Sequence, residues 1–109
     1  MNSAALFNIA LCLESPWQVE DVLFSEAAPQ AKELHLRIGF APGSWFPDES
    51  GALCPVHDTV EREWQHLNFF QYRCFLNCAV PRITTTTTGR ITTVVVPWAR
   101  PGSGYYPYV

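Results

Sequence analysis

The run Cys54-Pro55-Val56-His57 constrains this chain more than any other stretch. Two metal-binding side chains separated by two residues, with a proline to tighten the turn, let one loop grip one tetrahedral ion. A closed zinc site needs a second such pair. Its expected place is beyond the next hairpin, near Pro81-Arg82-Ile83, where the chain reads Thr84-Thr85-Thr86-Thr87-Thr88-Gly89. Threonine is not a zinc ligand at neutral pH. Cys54 and His57 are therefore the metal candidates, and zinc, the only cofactor the spacing points to, is doubtful. Two readings stand: an ion completed by ligands elsewhere or in a second chain, or a tight turn retained because it packs.

At 109 residues the chain is one domain, 1–109, large enough to bury a core without staples. With 48% of its residues apolar, it is expected to fold throughout. No apolar run reaches the roughly 18–20 residues that span a bilayer. The apolar start, Met1 to Leu13, has no basic leader before it and no cleavage signal after it. A cytoplasmic protein with no membrane partner follows, with Cys12, Cys54, Cys74 and Cys78 reduced. Cys74 and Cys78 fall in a strand-like run, about 13 Å apart, too far for a mutual disulfide or one shared ion. They read as small buried hydrophobes.

Net charge is −3, and it is unevenly spread. All ten acidic residues lie between Glu14 and Glu63, against three basic ones, which gives −7. From Trp64 onward there is no acid, while Arg73, Arg82, Arg90 and Arg100 remain, giving +4. Such asymmetry points to an anionic partner for the C-terminal half, with those four arginines on phosphate. The plainer alternative is four ordinary solvated positions.

The pattern along the chain predicts an α+β fold: a short N-terminal helix plus antiparallel hairpins. Asn2 or Ser3 caps a helix over 4–13, stopped by Pro16. Trp17 to Phe24 reads as a strand. Glu33 to Phe40 alternates, with Leu34, Leu36 and Ile38 on one face and Glu33, His35 and Arg37 on the other, so the two form a hairpin. Ala41 to Leu53 reads as loop, Cys54 to Asp58 as the knuckle, and Glu61 to His66 as irregular or the start of a strand. Leu67 to Ile83 reads as one long β run with Pro81 at its end, and Ile91 to Val96 as a second. β-Branching favours an extended threonine run. The expected core is Trp17, Leu36, Ile38, Trp64, Phe70, Tyr72, Phe75, Val95 and Trp98. The abrupt aromatic end, Tyr105 to Val109, suggests a chain cut from something longer.

Three ordered stretches resemble the N-terminal zinc-binding domain of ISL3-type insertion-sequence transposases. They are Pro16 to Val22, Cys54-Pro55-Val56-His57-Asp58-Thr59 continuing through Trp64 to Gln71, and Val96-Pro97-Trp98-Ala99-Arg100-Pro101-Gly102-Ser103-Gly104. The resemblance spans nearly all of the chain. It implies a helix at 1–15, a hairpin at 16–42 and a degenerate zinc ribbon at 43–109. Cys54 and His57 match the first ligand pair. The second would fall near Thr85 and Thr88. The family continues with a helix-turn-helix segment and a nuclease domain carrying an acidic triad, and neither is in this sequence.

What the resemblance implies is a non-catalytic transposase fragment, a module that positions DNA at insertion-sequence ends during DNA transposition. Arg73, Arg82, Arg90 and Arg100 would contact phosphate without reading sequence. The alternative is a metal-free β-module that binds protein, as a dimer or as an inhibitor paired with an intact transposase. An enzyme is the weakest class. Cys54 and His57 lack a third orienting group, Asp48, Glu49 and Asp58 read as solvated, and there is no cofactor motif.

Overall fold

The computed structural model describes residues 3–26, 32–99 and 106–108. Among the described residues there are one helix, α1 (Ser3–Ala10), and seven strands: β1 (Trp17–Glu26), β2 (Lys32–Phe40), β3 (Trp45–Pro47), β4 (Leu53–Phe69), β5 (Tyr72–Thr84), β6 (Ile91–Thr93) and β7 (Tyr106–Tyr108). One turn of 3-10 helix covers Pro97–Ala99. The fold is α+β, with a mostly antiparallel sheet. Its main path runs β1-β2-β5-β4-β3, with β6 beside β5 and β7 beside β4. No helix among the described residues is long and apolar enough to cross a membrane.

α1 ends where backbone chemistry ends it. Leu13 N donates to Asn8 O at 3.0 Å and Cys12 N to Ile9 O at 3.1 Å, and Cys12 lies in the left-handed region at φ 54°. That is a Schellman cap, with a cysteine where glycine is usual. The Asn8 side chain then accepts from Val19 N at 2.7 Å, tying the helix to β1.

The β1–β2 hairpin follows the alternation read from the sequence, with Trp17 opposite Phe40 and Val22 opposite Leu36. Its inward face, Val19, Leu34, Leu36 and Ile38, is buried. β2 then pairs with β5 in parallel, Leu36 beside Leu76, and β5 pairs antiparallel with β4, Leu76 beside Trp64. Cys74 and Cys78 lie in this core. Burial pushes their thiols up to about 11 and about 12.

Several segments differ from the sequence reading, among them Trp45–Pro47, a short strand within the stretch read as loop, and Ile91 to Val96, a strand only as far as Thr93. Cys54 to Asp58 is not a knuckle but part of one 17-residue strand, which also takes in Glu61 to His66, the stretch read as irregular or as the start of a strand. From Cys54 to Val60 its even-numbered residues are buried or half-buried and its odd-numbered ones exposed, a pattern that Pro55 and the charged residues disguise. The long run from Leu67 is two strands joined by Phe70-Gln71, with Phe69 opposite Tyr72. Pro81 lies inside β5 rather than at its end. Its carbonyl accepts from Val94 N at 3.0 Å, and its ring nitrogen faces the same side, in the gap after β2 stops at Cys78 and before β6 starts opposite Arg82. A missing N–H costs nothing there. Finally, Thr86 to Thr88 is a turn rather than extended chain: Gly89 (φ 70°) donates to Thr85 O at 3.0 Å, and Thr85 N to Arg90 O at 2.8 Å.

Of the expected core, Leu36, Ile38, Trp64, Phe75 and Trp98 are buried, and Trp17 and Tyr72 pack against them half-buried. Phe70 and Val95 are solvent-facing, at 86% and 77% exposure. Phe70 occupies the first central position of the β4–β5 hairpin at φ 55°, where glycine fits without strain. Phe70→Gly is expected to stabilise the protein by about 1 kcal/mol, and Cys12→Gly to act in the same direction at the helix cap. Chemical denaturation of the two variants against the parent checks this.

Candidate functional site

β3 crosses the start of β4 with Trp45 opposite Pro55 and Pro47 opposite Leu53. Phe46 and Cys54 point inward and join Ile83 in a second small core. The loop between these strands is tied by Asp48. Its Oδ1 accepts from Ser50 N at 2.9 Å, Ser50 Oγ at 2.6 Å and Ala52 N at 3.1 Å. Its Oδ2 accepts from Thr86 N at 2.9 Å and Thr86 Oγ1 at 2.5 Å, with the Cys54 thiol at 3.8 Å. Hydrogen bonds from Ser50 and Thr86 hold this carboxyl far below the usual carboxylate range. Burial pushes the Cys54 thiol up, and the adjacent Asp48 charge adds to that.

The 48–52 loop, which leads into Cys54, and the threonine turn therefore face each other, joined by a carboxylate. Thr85 and Thr88, at the positions of the absent ligand pair, bond each other through their hydroxyls at 2.8 Å. His57 is elsewhere. It occupies a β-bulge between Val56, opposite Ile83, and Asp58, opposite Arg82, and its side chain is exposed while Cys54 is buried. A strand separates what a turn would have brought together. Among the described residues, no three His, Cys, Asp or Glu side chains form a metal-holding group. Asp48 is the residue that the sequence reading left in solvent. Asp48-Glu49-Ser50-Gly51 is the pattern of an aspartate that folds back on its own turn, and that signal was available.

The arginines are largely spoken for. Arg73 pairs with Glu33 at 2.8 Å across the parallel β2–β5 ladder, and Glu33 also bonds His35 at 2.9 Å. Arg82 grips Asp58 opposite it on β4 through Nε at 2.6 Å and through its second nitrogen. Arg37 holds Glu61 with two bonds, at 2.8 and 2.7 Å. His35 followed by Arg73 depresses the carboxyl of Glu33, Arg82 that of Asp58, and Arg37 that of Glu61. Arg90 is exposed at the turn before β6 and, like Arg62, makes no ion pair with a described residue. Arg100 lies outside the described residues. The acid-rich and base-rich parts of the sequence thus meet inside one sheet.

Beside the Asp48 loop lies a cleft of about 880 Å³. Trp17, Trp98 and Phe46 line its inner wall, with Trp17 at 5.2 Å from Trp98 and 5.5 Å from Phe46, ring centre to ring centre. Trp45 and Val95, 57% and 77% exposed, line it as well. Trp64 supports Trp98 from below at 5.4 Å in an edge-to-face contact. Trp17, Trp64 and Trp98 come from the three separate stretches that carry the transposase resemblance, and they meet here. No family model, curated protein or solved structure matches the chain.

Proposed function

We infer that this chain is a non-catalytic, protein-binding β-module, whose binding surface is the aromatic cleft beside β3. The exposed Trp45 over a wall of Trp17, Phe46 and Trp98 carries the reading. Indole and phenyl rings beside Glu14, Glu49, Thr92 and Thr93 offer apolar contact with a few polar groups at its margin, the mix that binding clefts use. The cysteines fit a non-catalytic role, since burial favours the thiol over the thiolate at Cys54, Cys74 and Cys78. Four free cysteines fit a reducing, cytoplasmic setting.

Among the described residues, the two longest open strand edges, β1 and the middle of β4, support the cleft over strand pairing. β1 carries a bulge between Val19 and Asp21 and exposes Glu20 and Asp21. β4 carries the His57 bulge and exposes Glu61 and Arg62 on the stretch between its contacts with β3 and β7. Bulges and charges are how sheets discourage added strands.

The DNA-positioning role implied by the transposase resemblance rests on the three sequence stretches and on the charge asymmetry along the chain. Its arginines Arg73 and Arg82 would have to leave carboxylates to reach phosphate.

Display selection of random peptides on the immobilised protein tests the reading. Enriched peptides should bind the parent and lose binding to Trp45→Ala, a change at an exposed ring that leaves the fold intact by circular dichroism. Selection yielding no peptide, or peptides indifferent to Trp45→Ala, contradicts it.

A further inference from the structure

The geometry points to an extended, proline-containing segment carrying arginine as the occupant of the aromatic cleft, a proposal that rests on the protein-binding reading above. Three observations select this chemistry. First, the wall is made of rings set at angles to one another: Trp17 meets Trp98 edge-on at 85° and Phe46 tilted at 42°. Such rings leave ridges and notches rather than one flat platform. Proline rings fit notches of this kind, and a polyproline helix arrives already extended, with little entropy to lose.

Second, the charge is one-sided. Glu14 and Glu49 line the cleft and are exposed, and neither makes an ion pair with a described residue. Glu49 accepts a hydrogen bond from Thr87. Among the described residues, no lysine, arginine or histidine lines it. An anionic ligand would be repelled, whereas a guanidinium can meet a carboxylate and lie over an indole face. Third, the buried acid of the cleft, Asp48, is already saturated by Ser50, Ala52 and Thr86. It has no capacity left to recognise the hydroxyls of a sugar, and the walls offer mainly apolar contact.

The test uses two synthetic peptides, Arg-Pro-Leu-Pro-Pro-Leu-Pro-Arg and its twin with glutamate in place of both arginines, read by the protein's tryptophan fluorescence. The arginine peptide should give a saturable change at low ionic strength, about tenfold or more tighter than the twin, and the preference should shrink with salt. Glu14→Gln with Glu49→Gln should erase the preference, and Trp45→Ala should abolish the change. Equal binding of the twins, or a preference that survives the double glutamine variant, overturns the charge assignment while leaving a protein-binding cleft. Failure of both twins on a protein that does select other peptides overturns the proline-arginine occupant. Failure of both, together with an empty selection, overturns the protein-binding reading itself.

Discussion

Leu76→Ala is expected to cost about 3–4 kcal/mol of folding free energy, enough to lower the melting temperature by roughly 15 °C or more. Leu76 is fully buried at the centre of β5. It lies beside Leu36 of the parallel neighbour and Trp64 of the antiparallel one. The flanking strands are fixed by their ladders, so the site cannot collapse around the missing atoms, and the cavity term adds to the lost transfer energy. A small domain has on the order of 5–15 kcal/mol in total, so this one change removes a sizeable part of it. Equilibrium unfolding in urea measures the loss. A cost below about 1 kcal/mol would place Leu76 outside the centre of the core.

Asp48→Ala is the second large effect, with an expected fall in melting temperature of about 10 °C. The substitution strips acceptors from the backbone N–H groups of Ser50, Ala52 and Thr86 at once. It also releases the 48–52 loop from the threonine turn. Asp48→Asn should be destabilising too, because its amide nitrogen would face donors instead of accepting from them. The acid dependence separates charge from shape. Asp48 titrates below its ordinary value of 3.8 in the folded protein. Its contribution is therefore complete above the unfolded value and is lost as pH falls from there toward the lower folded one. Glu33, Asp58 and Glu61 are depressed as well and share the acid slope. Asp48→Asn should reduce that slope by one carboxylate's share and leave stability near neutral pH lower but pH-independent at this site. Unchanged acid unfolding in Asp48→Asn would remove Asp48 from the account.

What the sequence revealed was local. The alternation of Leu34, Leu36 and Ile38 gave the first hairpin, and the spacing of Cys74 and Cys78 gave two buried thiols, because a strand's two faces are written at period two. The turn at Phe70-Gln71 was hidden because neither residue is Gly, Asn or Asp, the usual signal for a tight hairpin. β4 was hidden because Cys-Pro-X-His has the spacing of a turn, while its inward residues share their stretch with exposed charges. Asp48 and Thr86 are 38 positions apart, and no local pattern reports a bond over that distance. The charge asymmetry has the same blind spot. It is real along the chain, but β5 carries Arg73 and Arg82 into register with Glu33 and Asp58.

That pairing is central to the proposed reading: the sheet holds Arg37, Arg73 and Arg82 on carboxylates of its own. A fluorescence-anisotropy titration of a labelled DNA duplex at low ionic strength tests it most directly. The account predicts no saturable complex, since Arg73 and Arg82 each have a carboxylate in contact and the net charge is −3. A complex whose affinity falls steeply with salt, with a log–log slope of about −3 or beyond, would show several arginines on phosphate. That result would contradict the account and restore the DNA-positioning module.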